Sequence, residues 1–89
     1  MCMAEREEGI LVYNAGIDRY EFYSTAFAAH DKSFFRGSAM EIYLNDQWSP
    51  TRMEHNGLEW YLVGTGLAGE KLNSQKIRVK SINGMLLPY

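Results

Sequence analysis

Residues 40–63, MEIYLNDQWSPTRMEHNGLEWYLV, read as three successive strands joined by two tight turns. Side chains alternate along a strand, so Met40, Ile42 and Leu44 share one face while Glu41 and Tyr43 share the other. Asn45-Asp46 tolerates the positive φ that a two-residue hairpin turn requires. The next strand, residues 48–54, contains Pro50, which has no N–H for the ladder; the strand therefore lies at an edge or is bulged there. Asn56-Gly57 is the strongest hairpin dipeptide in the chain. A two-residue turn at that point predicts Met53 opposite Trp60 and Thr51 opposite Leu62. It also puts Glu54 opposite Glu59, a like-charge pair that argues for a longer loop.

Upstream, residues 10–13 are apolar, Asn14-Ala15-Gly16 carries turn chemistry, and residues 19–23 alternate. Tyr20 and Phe22 fall on one face and Arg19, Glu21 and Tyr23 on the other, which predicts a first hairpin. Residues 24–32, STAFAAHDK, are alanine-rich behind a capping serine and predict one or two helical turns or an irregular loop. Downstream of Val63 lies a glycine-rich loop, then a strand over residues 76–82 with Ile77 and Val79 on one side and Lys76, Arg78 and Lys80 on the other. Asn83-Gly84 turns the chain into an apolar tail, residues 85–89. The expected class is all-β and mostly antiparallel, with five to six strands and at most one short helix. An SH3-like barrel is the first expectation and a strongly bent meander the second. Residues 1–8 are expected as a mobile tail and residues 9–89 as one small β domain.

Eighty-nine residues form one small core, and an aromatic content of 13% supplies twelve large rings for it. A lone cysteine, Cys2, excludes a disulfide framework and suits a reducing, cytoplasmic setting. No apolar run reaches membrane-spanning length. The opening residues lack a secretory pattern, and either Met1 or Met3 could start translation. Three of the eleven acids and one of the nine bases fall in residues 1–8, so the remaining eight acids and eight bases cancel. A basic nucleic-acid footprint would have to be local.

The run Trp48-x-Pro50-Thr51-Arg52-Met53-Glu54, followed by Trp60-Tyr61-Leu62-Val63-Gly64, resembles the bacterial domain of unknown function 5348 family. Gly9-Ile10-Leu11-Val12-Tyr13 with Arg19-Tyr20 matches that family's opening, and Ile77-Arg78-Val79 its late strand. The resemblance implies a small protein of Firmicutes, often carried on mobile elements, and brings no established activity. Family members usually carry a histidine–cysteine–glycine run before the strand at residues 40–44. Here Arg36-Gly37-Ser38-Ala39 stands instead, so no thiol role carries over.

Gly64-Thr65-Gly66-Leu67-Ala68-Gly69 is a literal G-x-G-x-x-G, but the short polar segment behind it cannot supply the helix that holds a pyrophosphate. No cofactor is expected. Arg52 shares a strand face with Trp48 and Glu54 and should lie near Tyr61 across the hairpin. A guanidinium between rings and a carboxylate is a structural clamp first and an anion or peptide reader second. Lys76, Arg78 and Lys80 beside Tyr43, Tyr61 or Trp48 outline a single-strand nucleic-acid platform, unless acids such as Glu41 and Glu59 neutralise it.

His30, His55 and Cys2 have no zinc spacing. Glu54 and His55, adjacent in a strand, point to opposite faces and form no acid–base pair. Ser38 and Ser49 lack a nucleophile's setting. These patterns favour a non-enzymatic interaction module that binds a protein or peptide through Trp48, Arg52, Tyr61 and Tyr43. The alternatives are a nucleic-acid accessory protein using Lys76, Arg78 and Lys80, and an inhibitor of a host defence enzyme. A homodimer through an edge strand or the tail at residues 85–89 is a further expectation.

Overall fold

The computed structural model describes residues 5–24, 33–82 and 85–87, with Glu5, Ser81, Ile82 and 85–87 as backbone. Eight strands follow in order: β1 (Glu5–Asn14), β2 (Arg19–Ser24), β3 (Ala39–Leu44), β4 (Gln47–His55), β5 (Trp60–Leu62), β6 (Leu67–Ala68), β7 (Lys76–Ile82) and β8 (Met85–Leu87). A 3-10 turn, Gly69–Leu72, precedes β7. The strand path is β2-β1-β7-β3-β4-β5-β6, antiparallel throughout, so the late strand β7 is inserted between β1 and β3. β8 pairs with Lys80–Ile82, beyond the Ile77–Arg78 stretch that β3 covers.

The all-β class matches expectation, while the closed barrel does not. β2 and β6 share no ladder, so the sheet is open. The cause lies at β2, whose outer edge is taken by the next segment: Glu21 bridges Ser33, and Phe34 N donates to Tyr20 O at 2.8 Å. The strands exceed the expected five to six because the glycine-rich loop and the C-terminal tail each contribute one.

Residues 5–8, expected in the mobile tail, are strand instead. Across the β1–β7 ladder Glu8 faces Arg78 and lies 3.8 Å from Lys76 Nζ, so the late basic strand partners this acid, while Arg6, opposite Lys80, reaches Glu41 at 3.7 Å. Of the segment expected as helical turns or an irregular loop, residues 24–32, Ser24 ends β2; its remainder, the turn at Asn83-Gly84, Cys2, His30 and the last two residues of the tail lie outside the described residues.

Two hairpins show how local chemistry sets register. Asn45 and Asp46 adopt φ of 53° and 65° and close β3–β4 with Leu44 opposite Gln47, the predicted two-residue turn. At Asn56-Gly57 the loop is longer: Met53 faces Leu62, Glu54 faces Tyr61 and His55 faces Trp60. Asn56 explains the four-residue loop, because its Oδ1 accepts the backbone N–H of Leu58 (2.8 Å) and of Glu59 (2.9 Å). The shift relative to a two-residue turn is two positions, so every side chain keeps its face while Glu54 escapes Glu59.

Pro50 lies opposite Glu41. Met53 N donates to Ser38 O (2.9 Å), which sets the alternation so that the Pro50 nitrogen points away from β3. The missing donor is thus aimed at an edge that β5, pairing only with Met53–His55, does not cover.

The inner face carries the core: Leu11, Tyr20, Phe22, Met40, Ile42, Met53, Leu62, Ile77 and Val79, joined by Phe34 and Leu72. Leu72 arrives from the 3-10 turn, so the glycine-rich segment plugs the core rather than looping free. Gly9 is required where β1 and β2 pack closest. A Cβ there would meet the Tyr23 carbonyl oxygen and come within 2.8 Å of the Phe22 ring.

Candidate functional site

The outer face of the sheet gathers the residues that the sequence singled out. Tyr43 and Trp48, opposite each other on β3 and β4, pack at 5.2 Å between ring centroids. β7 runs beside them. Arg78 places its guanidinium 4.4 Å from the Trp48 ring centre, and Lys76 Nζ lies 5.2 Å from that of Tyr43.

These cations already have carboxylate partners. Arg78 Nε donates to Glu41 Oε1 at 2.6 Å, Arg6 lies 3.7 Å from the same oxygen, and Lys76 Nζ is 3.8 Å from Glu8. The side chains of Arg78 and Glu41 are only 20% and 15% exposed, so this pair is shielded and the guanidinium is fixed between ring and carboxylate. The clamp expected at Arg52 is therefore built by Arg78. Glu41 is the neutralising acid that the sequence suggested, whereas Glu59 lies elsewhere. Lys80 sits opposite Arg6, beyond the rings.

Arg52 and Tyr61 occupy a separate part of this face. Arg52 Nε donates to Glu54 Oε2 at 3.1 Å, with the Arg52 side chain 58% exposed. Tyr61 stands across from Glu54. Of the four expected binding residues, Tyr43 and Trp48 thus meet at the turn end of the β3–β4 ladder, while Arg52 lies at its far end opposite Ala39 and Tyr61 beyond it on β5.

Two other polar candidates, His55 and Ser38, make structural contacts. Glu54 and His55 diverge as expected, since His55 turns to Trp60 in an edge-on contact at 4.8 Å. Its Nδ1 accepts the Gly57 N–H at 3.0 Å. Ser38 Oγ accepts the Phe35 N–H, a turn contact. Gly64, Gly66 and Gly69 adopt positive φ to form the β5–β6 hairpin and the 3-10 turn; no nucleotide-binding helix follows. Among the described residues, no group of three or more His, Cys, Asp or Glu side chains is placed to hold a metal ion. No helix there is long and apolar enough to cross a membrane.

A second region lies where the two ends of the open sheet meet. Side chains, rather than a strand ladder, bridge this seam. Tyr20 Oη donates to Gly69 O at 2.7 Å and Trp60 Nε1 donates to Asp18 O at 2.9 Å. Asp18, at φ 52°, also accepts the Tyr13 hydroxyl at 2.5 Å. Beside these bonds opens a cavity of about 300 Å³ walled by Tyr13, Tyr20 and Trp60, with Asp18, Glu59 and Glu70 at its lining and Leu58 on its rim. A more open depression shares Asp18 and Trp60 and is lined by Ile17, Arg19, Phe35, Arg36 and His55.

Both tyrosines at the seam resist ionisation. The hydrogen bond to Asp18 raises the Tyr13 pKa first, and burial raises that of Tyr20, with the charges of Glu70 and Glu59 adding to the effect.

The model of a domain of unknown function, DUF5348, matches residues 9–79. The chain belongs to the DUF5348 family. No curated protein and no solved structure matches it. The matched span runs from Gly9 within β1 to Val79 within β7, and so contains the seam residues together with Glu41, Tyr43, Trp48, Lys76 and Arg78 of the outer face. The family resemblance read from the central tryptophan segment is therefore correct.

The seam is what the sequence did not reveal. Tyr13, Asp18 and Tyr20 of the first hairpin are far in sequence from Trp60 and Glu70, and each fits an ordinary strand or turn. Only the acid just before each seam element hinted at it: Asp18 precedes β2 and Glu59 precedes β5.

Proposed function

We propose that this DUF5348 protein is a non-enzymatic interaction module that docks a protein or peptide at its seam end. The observation that carries this reading is the clustering of exposed apolar side chains. Leu58 is 92% exposed, Phe35 55%, Ile17 51% and Tyr13 40%, and all four border the two depressions that share Trp60. Large apolar groups gathered at one end, around a partly buried tryptophan, have the anatomy of a contact surface. The outer face supplies less: Tyr43 and Tyr23 are each 37% exposed there, and its cations are internally paired.

The test is recognition by variants. A partner isolated from the native host should bind wild type and a Tyr43→Ser variant alike, and lose at least tenfold in affinity to Phe35→Ser/Leu58→Ser, the scale of two anchor truncations. A partner lost with Tyr43 and kept without Phe35 and Leu58 moves the docking surface to the outer face.

A second reading, binding of single-stranded nucleic acid, draws on Lys76 over Tyr43, a ring and cation side by side on an accessible strand. Glu8 and Glu41 weigh against it. Oligonucleotide anisotropy at low salt tests it, with binding weakened by neutralising Lys76, Arg78 and Lys80 as the supporting result. Pairing between copies along the uncovered Pro50 edge of β4 is a third arrangement, read by sedimentation over a range of concentrations.

A further inference from the structure

We propose that the seam cavity is a receptor pocket for a cationic side chain, the alkylammonium of a lysine or the guanidinium of an arginine, presented by the docked partner. This rests on the docking reading above and names the chemistry that the pocket selects. The starting observation is an aromatic-walled cavity of about 300 Å³, room for one extended side chain and its head group.

Three rings form its walls, and ring faces attract a cation within about 6 Å of their centroids. Tyr13 and Tyr20 pack at 5.1 Å with a 51° tilt, so they present an angled aromatic corner rather than a flat stack. Their hydroxyl hydrogens are committed to Asp18 and to the Gly69 carbonyl. What each phenol oxygen still offers the cavity is a lone pair, which accepts from an ammonium or guanidinium N–H. The indole N–H of Trp60 is likewise spent on Asp18 O, leaving its ring as the contact surface.

Charge completes the selection. Asp18, Glu59 and Glu70 lie in the lining, which contains no lysine, arginine or histidine. Among the described residues, neither Glu59 nor Glu70 forms a salt bridge, in contrast to Glu8, Glu41 and Glu54. Glu59 is held over the seam by its packing against Gly69, where an added Cβ would collide with its Oε1. The negative field reaches the cavity floor, since Glu70 and Glu59 both help to keep the Tyr20 phenol protonated. An anionic or neutral polar group would meet this field unfavourably. An apolar one would bury carboxylates without compensating them. A cation on an aliphatic stem satisfies both walls and rim.

The experiment is a titration of full-length protein with N-acetyl-lysine methylamide, its arginine counterpart and the neutral norleucine analogue, followed by NMR. The chain's two tryptophan indoles provide the reporter and its control. The expected result is a saturable shift of the Trp60 indole and of Gly69 with either cationic probe, a silent Trp48, and little response to norleucine. Glu59→Gln/Glu70→Gln, two exposed positions that leave the core intact, should weaken the cationic probes by about tenfold. An equal response to norleucine, shifts at Trp48 instead of Trp60, or unchanged affinity in the double variant each overturns the pocket.

Failure of the two readings is separable. A pocket that takes the lysine probe while partner binding ignores Phe35→Ser/Leu58→Ser leaves the pocket standing and removes the docking surface. Partner binding that needs Phe35 and Leu58, with no probe response at Trp60, does the reverse.

Discussion

The outer face and the seam are made from the same ingredients, rings and charges, arranged to opposite ends. On the outer face, each contact closes on itself: Arg78 is held between Trp48 and Glu41, and Lys76 between Tyr43 and Glu8. At the seam, the rings line a cavity with no basic residue in its lining, and Glu59 and Glu70 share only the adjoining depression with Lys71 and form no salt bridge with it. A self-satisfied cluster contributes stability and has little left for a ligand. A cluster whose carboxylates form no salt bridge keeps more of its interaction capacity for something that arrives. A ring beside a charge is therefore poor evidence of a binding site until the charge's other partners are known.

Four perturbations break or sharpen this contrast, beginning with the scaffold that both regions share. Phe22 is 1% exposed beneath the β1–β2 pair that carries Tyr13 and Tyr20, and Phe22→Ala should cost about 3–5 kcal/mol in denaturant unfolding. Both regions should then be lost together. Survival of the outer face's near-ultraviolet signal at denaturant concentrations that abolish the seam's would mean that the two are separate units.

Next in size is the clamp itself. Arg78→Ala leaves Glu41 shielded and short of its closest donor, and should destabilise by about 1.5–3 kcal/mol. A double-mutant cycle with Glu41→Ala recovers the coupling. A loss below half a kcal/mol would return Arg78 to the pool of available cations and revive the nucleic-acid reading.

The seam bridge is weaker. Tyr20→Phe removes the bond to Gly69 O and retains the ring, for an expected cost of about 0.5–1.5 kcal/mol. It also changes the alkaline limb. Folding raises the pKa of Tyr13 and Tyr20 above 10.0, so the folded state holds these protons more tightly than the unfolded chain does. The resulting contribution is complete below pH 10 and declines as pH climbs through the folded values. Stability should fall more shallowly there in Tyr20→Phe, and phenolate absorbance should show late-titrating tyrosines in wild type. Coincident titration of all six at their ordinary value would remove the electrostatic account of the seam.

Smallest of all is Arg52→Ala. Its exposed pair with Glu54 should contribute no more than about 0.2–1 kcal/mol, well under Arg78. A thermal shift as large as that of Arg78→Ala would restore Arg52 as the clamp.

Much of the fold was readable from local chemistry. The alternation in β2, β3 and β7, the Asn45-Asp46 turn and the edge placement of Pro50 all follow from side-chain period and backbone preference, which act within a few residues. The Asn56 loop was half readable. The clash of Glu54 with Glu59 argued against a two-residue turn, but the Asn56 side chain's capture of two N–H groups is a matter of geometry. The candidate site was less legible. The sequence sets Trp48 and Tyr43 beside either Arg52 or the basic stripe of β7, and local chemistry does not choose between them; the cation that meets Trp48 is Arg78, about thirty residues further along the chain. Residues 5–8 carried no strand pattern because their pairing depends on a basic partner strand rather than on burial.

By itself, then, the sequence determined that this is a small antiparallel β protein of the DUF5348 family, with a core built from alternating apolar positions. Those properties rest on periodicity and on local segments, and need no knowledge of the chain path. The tertiary structure alone decided that β7 inserts between β1 and β3, that Arg78 rather than Arg52 is fixed on Trp48, and that the sheet stays open. The reason is that long-range pairing chooses which faces and edges become neighbours. The same choice leaves a seam where Tyr13, Tyr20 and Trp60 surround an acid-lined cavity.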